Sequence, residues 1–398
     1  SNQSNMATSA ESGVEVRSLE AKKGKGLYAK THFKKGETIL TEAPLVCAQF
    51  SWNELYKYKA CEFCLRSLET AEEMSRRLTN NPSLVLPHPE CCEVDSSVHT
   101  CCPHCQVKYC SEACRVAAWD RYHRVLCMGA SRDDSKHPLA MLQEAWRNIH
   151  YPPETASIML LAKMVAMVRQ NPDPSAVLQK FSQFVQTTVN ENEQIAHKLL
   201  GKEFQTQLEL LQGLAREALY HDDVQQWFTP EGFRSIFALI GTNGQGIGSS
   251  SISTWVKNCE KLSQGEKEKE ETDKFIDEMY EELDKEAGAF LNCDGSGLFE
   301  LQSACNHSCT PNAEINFLHG DHTLTLMALK DIEPDEEICI SYLDECSLER
   351  SRHSRQQILR ENYLFNCSCQ LCLEQADLPD ETSEEEMSEG DEEDEEEG

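Results

Sequence analysis

Cys61-Glu-Phe-Cys64, Cys102-Pro-His-Cys105, Cys110-Ser-Glu-Ala-Cys114 and His123-Arg-Val-Leu-Cys127 decide how this chain is built. Zinc takes four sulfur or nitrogen ligands at tetrahedral corners, and a Cys-x2-Cys knuckle supplies two of them from one tight turn. Four such pairs give eight ligands, enough for two closed sites. In a cross-braced arrangement, Cys61, Cys64, Cys110 and Cys114 share one ion, and Cys102, Cys105, His123 and Cys127 share the other. Residues 65–101 then form an insertion between the first and second pairs. His88, Cys91, Cys92 and His99 within it, and Cys101 next to a ligand, read as spectators in a loop, because adjacent cysteines rarely reach one ion. His104, inside a knuckle, reads as exposed. The bland alternative to metal is a set of buried free thiols.

Composition bounds what surrounds this module. The chain has 398 residues, room for two or three domains. It carries 20 cysteines but no secretory apolar segment and no apolar run of about 20 residues. Ile158–Val168 is apolar but short, and Lys163 interrupts it. A soluble intracellular protein is expected, nuclear, cytoplasmic or both, with its cysteines as thiols or metal ligands rather than disulfides. The formal charge is −31, from 37 basic and 68 acidic residues. Residues 374–398 hold 15 of the acids and no Lys or Arg, and such a run is expected to be disordered. The acidic balance argues against direct nucleic-acid binding and for basic protein partners. No membrane association is expected, and a monomer is.

Short strands are predicted at Val14–Arg17 and Thr38–Leu40, with turns at Gly24, Gly26 and Gly36. From Pro138 to about Leu239 the apolar spacing becomes helical, as at Leu139, Leu142, Trp146 and Ile149. Lys261–Asp284 is highly charged and reads as a helical or mobile insertion. Strands return at Leu298–Gln302, Ala313–Phe317, Thr323–Leu329 and Glu337–Tyr342, and Ser347–Asn362 reads as a basic helix.

Three further stretches carry chemistry. Asn306-His-Ser-Cys-Thr-Pro-Asn312 resembles the NHSCxPN signature of SET domains. Asp335-Glu-Glu-Ile-Cys-Ile-Ser-Tyr342 resembles their G-E-E-[ILV]-x-x-x-Y element, with Asp where Gly is usual. Cys367-x-Cys369-x2-Cys372 resembles the post-SET cysteines. Tyr109 before the third cysteine pair, and the His123-x3-Cys127 ending, resemble a MYND finger. Together the chain resembles the SET-and-MYND family of lysine methyltransferases over roughly Val14 to Cys372. It departs from most members in the long insertion before Cys102, the acidic tail, and the lack of space after Cys372 for their helical-repeat domain. The family's substrate groove beside that domain is thereby put in doubt.

The resemblance implies an α+β fold: a SET domain of small curved sheets with a pseudoknot, split by a MYND zinc finger and a helical insert. The divisions it implies are 14–60 for the N-terminal part of the SET domain, 61–127 for the finger, 128–240 for an I-SET-like helical insert, 241–346 for the SET core, 347–373 for post-SET and 374–398 for the acidic tail. It implies three structural zinc ions, the third held by Cys309, Cys367, Cys369 and Cys372. It implies S-adenosylmethionine bound by the backbone of Lys25, Gly26 and Leu27, by Asn306 and His307, and by Tyr342, Tyr363 and Phe365, with Phe365 stacked on adenine. Asn243, in Gly241-Thr-Asn-Gly-Gln-Gly-Ile-Gly248, is matched loosely to a cofactor-binding Asn, a plain glycine-rich turn being the other reading. No Gly-Lys-Ser/Thr follows, so it is not a phosphate loop. Tyr342 is the catalytic residue so implied.

The expected reaction is methyl transfer to lysines of basic proteins, such as histone H3 and H4 tails or ribosomal proteins. A free lysine ammonium has a pKa of about 10.4, so neutralising it at pH 7.4 costs about 4 kcal/mol. A nearby sulfonium and an apolar tunnel lower that cost. Tyr342, itself with a pKa near 10, is expected to align the amine rather than take its proton. Alone, Tyr342 would read as a core aromatic, His307 as a satisfied core histidine and Asn306 as a turn residue. The alternatives are a catalytically weak SET/MYND scaffold that recruits partners in transcriptional regulation, with peptides bound to the finger, and a RING-like ligase, whose ligand spacing differs. Cys47, Cys259, Cys293, Cys305, Cys339 and Cys346 read as plain thiols. The tail is read as a solubility device or as a holder of basic substrates.

Overall fold

A computed structural model describes residues 13–18, 24–151, 154–184, 189–287 and 295–380. Most of the acidic tail lies outside the described residues, as does Cys293. The described strands are, in chain order, β1 (Val14–Ser18), β2 (Lys25–Ala29), β3 (Thr38–Glu42), β4 (Val46–Gln49), β5 (Thr100–Cys101), β6 (Lys108–Tyr109), β7 (Gln245–Ile247), β8 (Gly295–Leu298), β9 (Asn306–His307), β10 (Ala313–Asn316), β11 (Leu324–Ala328) and β12 (Glu337–Ile340). With the helices below they make an α+β protein that divides into two compact units.

The first unit gathers residues 1–41, 304–316 and 325–398. Its main sheet runs β1-β2-β12-β9. β1 and β2 form an antiparallel pair, and β2 continues onto β12 with Leu27 opposite Ile338. β12 then lies parallel to β9, Cys339 beside Asn306 and Ile340 beside His307. A second sheet, β10-β11-β3, has its core in the same unit. The segment after β9 is stitched to β12 by a side chain. Asn312 Nδ2 donates to Glu337 O (2.9 Å), and its Oδ1 accepts from Cys339 N (2.8 Å). An amide side chain thus copies a backbone peptide and closes the pseudoknot.

Asp335 explains one departure from the family pattern. It sits at φ +69°, the left-handed region where Gly costs nothing and Asp is among the better-tolerated alternatives. Its carboxylate is 2.6 Å from Arg17 on β1.

The second unit holds residues 42–303 and 317–324. The stretch expected to be helical is so: Pro138–Ile149, Ile158–Gln170, Pro174–Ser182, Val189–Leu200, Phe204–Leu219 and Pro230–Asn243. Leu139, Leu142 and Trp146 form the buried stripe of the first of these. Lys163, the residue that breaks the apolar run, is 1% exposed. Its ammonium donates to Cys47 O (2.9 Å) and Glu62 O (3.0 Å), pairs with the Glu62 carboxylate (3.0 Å) and lies 4.5 Å from the Tyr122 ring centroid.

Two local readings need correction. Residues 65–101 are not a loop, although His88, Cys91, Cys92 and His99 join none of the ligand clusters among the described residues. Thr70 and Glu73 form a capping box that starts a helix at Ala71–Leu78. That helix and Cys91 bury against Trp255 and Cys259 of the helix Ser251–Glu260, and against Met279 and Leu283 of the helix Glu266–Ala287. The charged stretch 261–284 is therefore mostly one amphipathic helix, with Thr272, Ile276, Met279 and Leu283 as its buried stripe. The strand expected at Leu298–Gln302 instead covers Gly295–Leu298, between β4 and β7. Glycine permits this close pairing, since a Cβ on Gly295 would lie 2.3 Å from Ala48 O. Beyond it the chain turns, and Glu42 accepts the freed Leu301 and Gln302 N–H groups (2.8 and 3.1 Å).

Candidate active site and metal centres

The first unit brings most of the expected site residues together. Asn306, at the start of β9, donates from Nδ2 to Lys25 O and to Glu337 Oε1, both at 2.8 Å. The glycine loop and the Glu-Glu element thus meet at one amide. Gly26 and Leu27 follow on β2, where Leu27 is fully buried and paired on both sides. His307 accepts the Tyr342 backbone N–H at Nδ1 (2.9 Å). Its ring proton therefore sits on Nε2, which lies 3.4 Å from Cys309 Sγ.

Tyr342 follows β12. Its hydroxyl donates to the Cys305 carbonyl at 2.6 Å, and burial pushes its phenol above the usual tyrosine range. The hydroxyl stays protonated across the physiological range, so it donates a hydrogen bond and is poorly suited to act as a base. Around it stand His307 (ring centroids 5.4 Å), Tyr363 (4.9 Å) and Phe365 (6.2 Å). Tyr363 returns its hydroxyl to Tyr342 O (3.2 Å). The turn that separates Tyr363 from Phe365 is Leu364 at φ +62°, the end of the helix Arg352–Tyr363. The expected basic helix is broken before this point: Glu345–Leu348 is a separate short helix, and Ser351 caps the longer one by accepting Ser354 N.

Asn243 belongs to the second unit. It closes the helix Pro230–Asn243 and donates to Leu239 O at 3.0 Å.

The twelve expected ligands fall into three clusters: Cys61, Cys64, Cys110 and Cys114; Cys102, Cys105, His123 and Cys127; Cys309, Cys367, Cys369 and Cys372. In each, the ligand atoms lie within 4.8 Å of one another. Zinc–sulfur bonds of about 2.3 Å set tetrahedral edges of about 3.8 Å. The sulfurs of Cys64 and Cys110, and of Cys110 and Cys114, are 3.6 Å apart. Cys102 and Cys127 are 3.9 Å apart, and Cys309 lies 3.9 Å from Cys367 and 3.7 Å from Cys372. These are tetrahedral edges rather than disulfide lengths, so the donor sets fit zinc. Ser111 caps the helix Glu112–Ala118 that carries Cys114, and β5 pairs with β6 beside the knuckles.

Sequence reasoning did not single out Glu337 as the acceptor for Asn306, the Cys305 carbonyl as the partner of Tyr342, or Arg355 beside the third cluster. Glu337 stands within a quoted motif and was within reach. The Cys305 carbonyl is backbone and has no sequence signal. Arg355 looks like any surface cation of a basic helix.

The SET domain family matches residues 217–343. Protein-lysine N-trimethyltransferase SMYD5 of Danio rerio is 60% identical over 373 residues, 94% of this chain and 90% of that protein. Its namesake in Homo sapiens is 60% identical over 380 residues, 96% of this chain and 91% of that protein. The chain belongs to the SMYD5 family of protein-lysine methyltransferases. A plant relative, histone-lysine N-methyltransferase ATXR2 of Arabidopsis thaliana, is 25% identical over 450 residues, covering 91% of this chain and 90% of that protein. Membership makes the chain a SET-domain enzyme with S-adenosylmethionine as the implied methyl donor. Among the described residues, no helix is long and apolar enough to cross a membrane.

Proposed function

We propose that this chain trimethylates lysine side chains of basic proteins, with Tyr342 as the aligning residue and zinc in all three clusters. Histone tails and ribosomal proteins are the substrate classes that the −31 charge fits. The degree of methylation rests on the relatives named above as trimethyltransferases. The observation that carries the reading is the half-buried Tyr342 hydroxyl, fixed on the Cys305 carbonyl beside Asn306 and His307.

In this reading Lys25, Gly26, Leu27, Asn306, His307, Tyr363 and Phe365 hold the cofactor. S-adenosylmethionine supplies the methyl as a sulfonium when bound. The chain's own residues desolvate the incoming amine, favour its neutral form and orient it through Tyr342. Peptide partners of the finger would meet a cavity of 660 Å³ in the second unit, lined by Val107, His123 and Leu126 of the finger and by Leu139, Gln143 and Arg147 of the first long helix.

The test is radiolabelled methyl transfer to a panel of histones and ribosomal proteins, with Tyr342→Phe alongside. Label on a substrate lysine is expected from the wild type, and at least ~100-fold less from the variant at unchanged Tm. Equal turnover by Tyr342→Phe overturns the assignment. A zinc-replete wild type that binds the cofactor but labels no protein on the panel overturns the substrate class.

A further inference from the structure

The third cluster has a cation pressed against its sulfurs. Arg355, on the helix Arg352–Tyr363, is 2% exposed. Its Nε donates to Cys309 Sγ at 3.3 Å, and its Nη2 lies 3.6 Å from Cys372 Sγ. Its Nη1 also donates to Arg350 O (2.7 Å) and its Nη2 to Gln375 Oε1 (2.8 Å). Among the described residues, no carboxylate forms an ion pair with it.

A buried guanidinium without a countercharge is strongly unfavourable. Here the candidates for that countercharge are the sulfurs, and a neutral thiol does not serve. A thiolate does, and N–H bonds to an anionic acceptor are roughly twice as strong as neutral ones. Four thiolates around one divalent ion leave a net charge of −2. The finger's second cluster avoids that excess by composition, since His123 replaces one thiolate and leaves −1. The third cluster has four cysteines, and one guanidinium brings it to the same −1. The planar fork of Arg is what reaches two sulfurs at once; a Lys at this position is a point charge and reaches one.

We infer that Arg355 is the counter-cation of the third metal site: its guanidinium fork bridges the sulfurs of Cys309 and Cys372 and sets how long a divalent ion stays there. This rests on reading Cys309, Cys367, Cys369 and Cys372 as a metal site. The role extends toward the reacting centre, because Cys309 Sγ also lies 3.4 Å from His307 Nε2 and His307 holds the Tyr342 backbone. Arg355 is thus a positioning residue that acts through the metal cluster.

The experiment uses the full zinc-loaded chain. Native mass spectrometry counts the bound ions, and release of zinc to a chromogenic chelator is followed for wild type, Arg355→Met, Arg355→Lys and Arg352→Met. Arg352 is the control: it lies on the same helix and donates to the Cys372 carbonyl (2.8 Å), not to a sulfur. In Arg355→Met, one ion of three is expected to leave 10- to 100-fold faster, in the range seen when outer-shell partners of metal ligands are removed. The other two keep their rates. Arg355→Lys should fall between wild type and Arg355→Met, and Arg352→Met should stay within about threefold of wild type. Reconstitution with cobalt(II) adds a second reading, with the sulfur-to-cobalt absorption of the third site shifted in Arg355→Met and unchanged in Arg352→Met. Equal release rates and spectra for Arg355→Met and Arg352→Met, with three ions bound in each, overturn the inference and leave Arg355 a packing residue. Should Arg355→Met fail to fold, Arg355→Lys decides: release at the wild-type rate overturns the need for the fork. A wild type that binds two ions overturns the metal site itself, a result separate from any effect at Arg355.

Discussion

Among the described residues, two clusters have four cysteines each and similar sulfur–sulfur distances, 3.6 Å against 3.7–3.9 Å, yet they are built for different ends. In the finger, Cys61, Cys64, Cys110 and Cys114 come from two knuckles anchored by their own backbone: Cys61 N donates to Arg66 O, Leu65 N donates to Cys61 O, and Ser111 caps the following helix. That cluster folds a local module. The cluster of Cys309, Cys367, Cys369 and Cys372 takes one ligand from the motif that also supplies Asn306 and His307. Its Cys309 sulfur touches both His307 and Arg355. Identical ligands therefore say little about purpose; what each sulfur touches beyond the ligand set says more.

The widest split between the clusters should appear on removing a ligand from each. Cys309→Ser is expected to lose one zinc ion and at least ~100-fold in kcat, because the His307–Tyr342 link goes with it. Cys64→Ser is expected to lose a different ion and some stability, while kcat per folded molecule stays within a few-fold. Zinc counts and single-turnover rates on the two variants check this, and equal kcat losses would erase the distinction.

The finger's side can be probed through Lys163, which ties Glu62, next to a ligand, to the helix Ile158–Gln170. Lys163→Met strands Glu62 and two buried carbonyls, so a loss of about 3 kcal/mol is expected in denaturant unfolding. A loss below about 1 kcal/mol would show that the tie is dispensable.

A smaller, pH-dependent effect should come from Glu42, whose carboxyl is pushed up to about 7 by burial. A carboxyl with a raised folded pKa binds its proton more tightly in the native state. Its contribution is complete below about pH 4.5 and is lost as pH rises through about 7. The expected swing is about 3 kcal/mol of stability across that window, and Glu42→Gln should flatten it. An unchanged pH profile in Glu42→Gln would assign the swing elsewhere. The smallest effect is expected at Asp335→Gly, where relief of a left-handed residue offsets loss of the Arg17 pair. Its Tm should stay within about 2 °C of wild type, as a scan at two salt concentrations would show.

What was legible in the sequence follows from these differences. The finger's pairs were readable because each knuckle is a short-range constraint. The Asn306–Asn312 and Asp335–Tyr342 stretches were readable because their residues act through backbone-like hydrogen bonds that tolerate few side chains. The helix Ala71–Leu78 went unread although Thr70 and Glu73 form a capping box, since an insertion between two ligand pairs reads as a loop. The strand Gly295–Leu298 went unread because glycines lower strand propensity, and only the close approach of Ala48 gives them a reason. Arg355 could not be read at all, for its burial is a property of the packed helix, not of its neighbours in sequence.

The order of the main sheet also bears on how the protein is made. β2 emerges early from the ribosome, yet Leu27 meets its partner Ile338 only after roughly 310 further residues have been joined, which takes about 15–60 s at ~5–20 residues/s. For that time one edge of the β1–β2 hairpin has no native neighbour, while the zinc finger can already have closed. Hairpin edges left open this long invite pairing with other chains. The slow, late step of this protein's biogenesis is therefore the arrival of β12, and a nascent chain halted before Glu337 would carry a finished finger and no catalytic centre.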